Sequence, residues 1–245
     1  MSPLFSIITI TYNAAAALPP TMASVKEQTF AGYEHIIVDG ASTDDTIAVA
    51  RRWSTAATRV ISEPDRGLYD AMNKGLRAAA GRYLIFLNAG DAFASRDVLE
   101  RAAALADNNP GVIYGQTRIV DSDRRVIGPR HLTAPEKLTA GDFSRGMLVC
   151  HQAFIARRDI AGEYDLRYRF SADYDWCVRC LKNSPANAYL GDEPIIDYLA
   201  EGVTTRNHRA SLLERFRVMC RHYGTACAVA RHITFIPRYL RRAFN

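Results

Sequence analysis

Arg82-Tyr-Leu-Ile-Phe-Leu87-Asn-Ala-Gly-Asp91 is the stretch that decides the fold. After its opening arginine it is apolar for five residues, then turns polar at Asn88. A strand with no polar alternation is covered on both faces, which is the condition of a strand inside a parallel sheet. Three similar units precede it. Phe5-Ser-Ile-Ile-Thr-Ile-Thr-Tyr12 is a β-branched run followed by a helix opened at Pro19-Pro20. His35-Ile-Ile-Val-Asp39 is a second buried strand, and Ser42-Thr-Asp-Asp45 offers N-cap chemistry for a helix to about Trp53. Arg59-Val-Ile-Ser-Glu63 is a third strand, Gly67 a turn, and Tyr69 to Ala80 a helix closed by Gly81. Four strand–helix units at this spacing predict an α/β fold with a doubly wound, mostly parallel sheet flanked by helices.

Beyond residue 91 the alternation loosens. The pattern predicts a helix capped at Ser95 and ending near Ala106, and a hairpin of Val112–Val120 with Arg124–Ile127. Further strands are expected near Gln152–Ala156 and Ala188–Leu190, with a helix over Asp173–Lys182 between them. One domain is expected over residues 1–205, with residues 1–110 as its nucleotide-binding half and 111–205 as its acceptor half. Residues 206–245 are read as a basic helical extension.

The composition, 48% hydrophobic and 23% charged, is that of an ordinary globular chain. Charge is unevenly placed. Residues 209–245 hold eight arginines against Glu214 alone, a net +7, which leaves −2 for residues 1–208. Leu212, Phe216, Met219, Cys220 and Tyr223 form an apolar stripe in this tail, so it has the makings of an amphipathic helix at an anionic membrane surface. Packing of that helix on the domain is the competing expectation. No recognition motif for nucleic acid accompanies the arginines. The five cysteines, including Cys177 and Cys180 in a CxxC without a second pair, fit free thiols in a reducing compartment. No signal peptide or run long enough to span a bilayer is evident, so a cytoplasmic protein, peripheral at the inner face of the membrane, is expected.

Parallel sheets bind ligands beyond the carboxyl ends of their strands. Four loops stand there: Thr11-Tyr-Asn13, Asp39-Gly-Ala-Ser42, Glu63-Pro-Asp65-Arg-Gly67 and Asn88-Ala89-Gly90-Asp91. Three of them carry carboxylates, and acids converging on one edge repel unless a ligand or cation uses them. In their order, Phe5–Asn13, Val38-Asp-Gly-Ala-Ser-Thr-Asp-Asp-Thr46 and Leu87–Asp91 resemble family 2 glycosyltransferases, whose fold is GT-A. Glu63-Pro-Asp-Arg-Gly-Leu-Tyr-Asp-Ala-Met-Asn-Lys-Gly75, Cys150-His-Gln152, Ser171-Ala-Asp-Tyr-Asp-Trp176 and Ala200-Glu-Gly-Val-Thr-Thr205 resemble its bacterial exopolysaccharide, O-antigen and colanic-acid-type members.

The resemblance implies an inverting transferase that moves a sugar from a nucleoside-diphosphate donor, with UDP first in line, to a lipid-linked or glycan acceptor. It implies Thr11, Tyr12 and Asn13 at the base, with Asp39 accepting the base imide N–H and Ser42 and Asp65 beside the nucleoside. Lys74 and Arg206 are implied as phosphate partners, and His151 and Gln152 near the donor or acceptor. Asn88, Ala89, Gly90 and Asp91 stand at the DxD position, with Asp91 as ligand of Mg2+ or Mn2+. Asp173 stands at the general-base position. The chain departs from the pattern at Asn88 and Gly90, where acids are expected, which weakens the metal site. A catalytically degenerate nucleotide binder or a nucleotidyltransferase is the alternative. A dinucleotide oxidoreductase is disfavoured, because Asn13-Ala-Ala-Ala-Ala carries no glycine after the first strand.

Overall fold

The structure is a computed structural model that describes residues 2–200 and 208–233. Nine strands form one sheet among those residues, in the order β3-β2-β1-β4-β8-β6-β9-β5, with β7 beside β6. The strands are β1 (Phe5–Thr11), β2 (Tyr33–Asp39), β3 (Thr58–Ser62), β4 (Tyr83–Phe86), β5 (Ala92–Phe93), β6 (Val112–Val120), β7 (Val126–Pro129), β8 (Phe154–Arg157) and β9 (Asn187–Leu199). The α-helices are α1 (Leu18–Lys26), α2 (Thr46–Trp53), α3 (Leu68–Ala78), α4 (Val98–Ala106), α5 (Ala172–Asn183) and α6 (His208–Tyr223), and residues 225–233 are helical as well. Strands β1 to β4 are parallel to one another, β6 is parallel to β9, and β8 runs antiparallel between β4 and β6. The doubly wound, mostly parallel sheet expected from the sequence is therefore present.

Side chains alternate across a strand, and β2 shows how this sorts the layers. Ile37 packs with Leu18, Met22 and Ala50 of α1 and α2 on one face. Ile36 and Val38 join the main core with Met72 of α3 on the other. Every residue of β1 is buried, including Thr9, whose hydroxyl pairs with the ring of His35 at 3.0 Å. Pro19 and Pro20 stand in the first turn of α1, where a missing N–H costs nothing.

Of the run Ser42–Asp45 expected to supply cap chemistry for α2, Asp44 does so, accepting from the amide and hydroxyl of Thr46, while the Ser42 hydroxyl turns to Asp39. Three local expectations need correction. Ser95 does not cap α4, which starts at Val98; its hydroxyl bonds Asp97. Gly81 does not close α3, which ends at Ala78 in extended backbone. Gly81 is a close-approach position, since a Cβ there would lie 2.5 Å from the backbone nitrogen of Ser6. The strand expected at Ala188–Leu190 runs to Leu199. Its polar, proline-bearing second half hid it, yet that half pairs with both β6 and β5.

Helix α6 is joined firmly to the domain. Val218 and Met219 are fully buried in the main core, and Tyr223 donates to the carbonyl of Ala140 at 2.7 Å. His222 meets the buried carboxylate of Asp175 at 2.7 Å. Residues 210–223 thus take the packed arrangement rather than a free amphipathic one. The five cysteines are free, with Cys150, Cys177 and Cys180 buried.

Candidate active site

The loops after β1 and β2 are laced together. The amide of Asn13 donates to Ser42 Oγ at 2.8 Å and its side-chain oxygen accepts from the amide of Thr43 at 2.9 Å. The amide of Ala14 donates to Thr46 Oγ1 at 2.7 Å. Asn13 and Ala41 both hold left-handed backbone conformations, at φ 48° and 59°, which aim these groups at one another. Asp39 sits at the centre with no exposed surface. Thr11 and Ser42 hydroxyls donate to its Oδ1, and the Ser42 amide and Ser62 hydroxyl to its Oδ2. Burial alone would raise its pKa, but these four donors outweigh it and hold the carboxylate below the usual range. With two donors on each oxygen its acceptor capacity is full, so a base imide there must displace one hydroxyl. Asp65 lies close by. A Cβ on Gly40 would collide with its carboxylate and touch the Tyr12 ring at 3.4 Å. The Tyr12 ring itself is 67% exposed.

Lys74 reaches the loop that carries Asp65. Its amine binds the carbonyl of Pro64 at 2.6 Å and Glu63 at 3.0 Å, tying α3 to the loop after β3. It is therefore neither a solvated lysine nor one aimed at open space.

The Asn88–Asp91 loop is held by Thr21 of α1, which accepts from the Gly90 amide at 2.9 Å and donates to the Asp91 carbonyl at 2.6 Å. Arg124, from the β6–β7 turn, donates to the carbonyl of Gly90 at 2.6 Å. Gly90 has φ 101°, and a Cβ there would lie 2.8 Å from Leu199. An aspartate at that position would be strained by the positive φ and would have to displace the tip of the Leu199 side chain. Ala89 packs on the α1–α2 cluster.

Asp91 is 5% exposed, with Oδ1 accepting from the Leu199 amide at 3.0 Å and Oδ2 from Gln152 Nε2 at 2.9 Å. Burial lifts its pKa to about 7 despite these bonds. The Gln152 amide is oriented in turn by the Cys150 thiol, which donates to its oxygen. Asn88 Oδ1 is a buried acceptor with no hydrogen-bond partner among the described residues. No group of three or more His, Cys, Asp or Glu gathers among those residues. One carboxylate and one orphaned amide oxygen nonetheless suit a hard cation that takes its remaining ligands from phosphates and water.

Asp173 stands in the first turn of α5. Its Oδ1 accepts from the Tyr69 hydroxyl at 3.1 Å and the Tyr174 amide at 2.8 Å. Tyr69 stacks on Tyr164, and Tyr164 on Trp176. His151 is buried in this aromatic group with Nε2 against the Tyr164 hydroxyl at 2.7 Å, and burial lowers its pKa to about 4. It supports the wall rather than facing open space. A path of contacts joins the two candidate carboxylates: Gln152 bonds Asp91, its chain neighbour His151 bonds Tyr164, Tyr164 stacks on Tyr69, and Tyr69 bonds Asp173. Burial, with Cys150, Asp91 and Asp173 nearby, pushes the Tyr198 phenol up to about 12. Arg206 lies outside the described residues.

Sequence reasoning passed over Thr21, Tyr69, Arg124 and Tyr198. Tyr69 stood inside a quoted motif, but nothing local marks its hydroxyl as the partner of a residue 104 positions away.

Residues 6–164 match the family model for glycosyl transferase family 2. A PGL/p-HBAD biosynthesis glycosyltransferase of Mycobacterium tuberculosis is 38% identical over 190 residues, covering 74% of this chain and 71% of that protein. The chain belongs to glycosyl transferase family 2. This transferase is also 24% identical over 186 residues to UDP-Glc:alpha-D-GlcNAc-diphosphoundecaprenol beta-1,3-glucosyltransferase WfgD of Escherichia coli, covering 76% of the chain and 72% of that protein. Among solved structures, S. aureus TarS 1–349 in complex with UDP-GlcNAc superposes with a TM-score of 0.74 at 19% identity, over 94% of the transferase and 73% of that chain. The mannosyltransferase PcManGT from Pyrobaculum calidifontis, in complex with GDP-Man and Mn2+, gives 0.59 at 18% identity over 97% and 76%. The fold is GT-A, and the chain is a glycosyltransferase.

Proposed function

We propose that this enzyme transfers a sugar with inversion from a UDP-sugar to a lipid-linked or glycan acceptor in bacterial surface polysaccharide or glycolipid synthesis. The observation that carries this reading is the path of contacts that joins Asp91 to Asp173, through Gln152, its chain neighbour His151, Tyr164 and Tyr69. The base and ribose would lie against Tyr12, Asn13, Asp39, Ser42 and Asp65, with the imide N–H taking the place of a hydroxyl on Asp39. Asn88 and Asp91 would hold Mg2+ or Mn2+, which when bound offsets charge on the departing diphosphate. Asp173 Oδ1 is occupied by Tyr69 and Tyr174, which leaves Oδ2 to take the proton of the acceptor hydroxyl. The acceptor oxygen, as it gives up that proton, forms the new bond to the anomeric carbon while the bond to the diphosphate breaks, and the nucleoside diphosphate leaves. The relatives' names support a glycolipid or polysaccharide product, and the complex of TarS supports a uridine donor. Contact with the inner face of the membrane is assigned to the basic segment after α6. Its residues 234–245 lie outside the described residues.

The reading is tested by thermal shift with UDP, GDP, dTDP and CDP, with and without Mn2+, followed by UDP release from UDP-glucose and UDP-N-acetylglucosamine. UDP should raise Tm by mass action. Asp173→Asn should keep that shift and lose transfer by on the order of 100-fold or more. No shift with any diphosphate would return the chain to a degenerate member of its fold.

A further inference from the structure

A cleft of about 860 Å³ is lined by the N-terminal turn of α3 and by residues of the segment 166–170, together with Tyr12 and Ser211 of α6. One wall includes Tyr69, whose hydroxyl bonds the Asp173 carboxylate at 3.1 Å, so the cleft adjoins the proposed base. Its sides are apolar where a surface should be polar. Leu68 and Leu166 are 48% and 43% exposed, and Tyr168 and Phe170 continue the lining; Tyr12, also in the lining, is the residue shared with the donor site. Large apolar side chains gathered exposed around one concavity mark a binding surface.

The polar groups of the cleft are largely committed to the protein itself. Asp70 receives the Arg66 guanidinium at 2.9 Å as well as the Arg66 amide, and Ser211 is buried. A subsite built for a free glycan needs carboxylates and amides open to sugar hydroxyls, and few are present here. At the rim Arg66 is neutralised by Asp70, while the exposed Arg169 lies 5.6 Å over the Phe170 ring. The α6 helix holds the lining in place, because Glu214 accepts the amides of Arg169 and Phe170 at 2.7 and 2.6 Å.

We propose that this cleft is the acceptor subsite and that it selects an amphiphilic acceptor, a glycolipid. The reacting sugar hydroxyl would lie at the Tyr69–Asp173 end, the apolar aglycone between Leu68 and Leu166, and any anionic group at Arg169. The assignment rests on Asp173 being the base. It goes beyond that reading in naming where the acceptor lies and why its hydrophobic part matters.

Methyl-labelled leucine, isoleucine and valine spectra of the full chain test it without a known acceptor sugar. The probes are dodecyl β-maltoside below its micelle-forming concentration and maltose. The Leu68 and Leu166 methyls should shift with the alkyl glycoside and not with maltose. Leu68→Glu combined with Leu166→Glu, both at exposed positions, should weaken that binding on the order of tenfold or more. Equal responses to maltose would indicate a glycan subsite and overturn the proposal. So would shifts spread equally over the exposed Val126, Ile127 and Val229. UDP added separately should move the Ile10 and Val38 methyls at the ends of β1 and β2. If UDP leaves these unmoved while Leu68 and Leu166 respond to the alkyl glycoside, the donor reading fails and the cleft stands.

Discussion

Gly90 shows at the scale of one residue how backbone geometry shapes a metal site. With φ at 101° and the tip of the Leu199 side chain 2.8 Å from its missing Cβ, the position accepts the second acid the family pattern leads one to expect only under strain. Gly90→Asp should therefore lower stability by about 1–3 kcal/mol and fail to strengthen Mn2+ binding. Thermal unfolding and a Mn2+ titration would show this, and tighter binding in a stable variant would refute it. Asp91 makes a second prediction. Its pKa of about 7 in the metal-free fold lies above that of an unfolded aspartate, near 4. The folded state thus binds more protons between those values, and this residue's stabilising contribution, complete below about pH 4, is lost as pH rises toward 7. Urea unfolding at pH 5 and pH 8 should show a smaller difference in Asp91→Asn than in the native chain once the other groups are matched.

At the scale of elements, α6 is the feature that a tail-like composition most disguises. Its arginines suggest an independent basic helix, yet its Val218 and Met219 are wholly buried and its single acid, Glu214, binds two amides just ahead of α5. Fully burying such side chains contributes about 1.5–3 kcal/mol each. Removing residues 208–245 should accordingly lower Tm by many degrees, beyond any loss of membrane contact. Glu214→Ala should keep the fold while exposing the Arg169 and Phe170 amides to faster hydrogen exchange, by about tenfold or more. Unchanged exchange would show that the segment is held by other contacts. The parallel strands β1, β2 and β4 were legible because nothing but burial on both faces explains runs such as Phe5–Thr11. The second half of β9 was not, because Gly-Asp-Glu-Pro reads as a turn and its pairing partners lie far away in the chain.

Over the whole molecule, burial of ionisable groups sets the acid limit of the fold. His35 lies 2% exposed beneath the sheet, and burial depresses its pKa to about 3. It stays neutral when folded and takes a proton when unfolded, so stability present above about pH 6.5 is lost as pH falls toward 3. His151 acts the same way with a value of about 4, whereas Asp91 acts oppositely. His35→Gln should lower Tm at pH 7 and flatten its decline below pH 6; an unchanged acid limb would assign that limb to other groups. The sequence by itself determined the α/β class, the four parallel strands and the loops at their carboxyl ends, since periodicity and turn chemistry are local properties of a chain. It also determined membership of a transferase family, through motifs in a specific order. Only the tertiary structure decided which side chains meet: Gln152 with Asp91, Tyr69 with Asp173, Glu214 with the loop before α5, and Lys74 with Pro64 rather than open space. Those pairings join residues 10 to 104 positions apart, and their energies come from burial and hydrogen-bond geometry that exist once the sheet has closed.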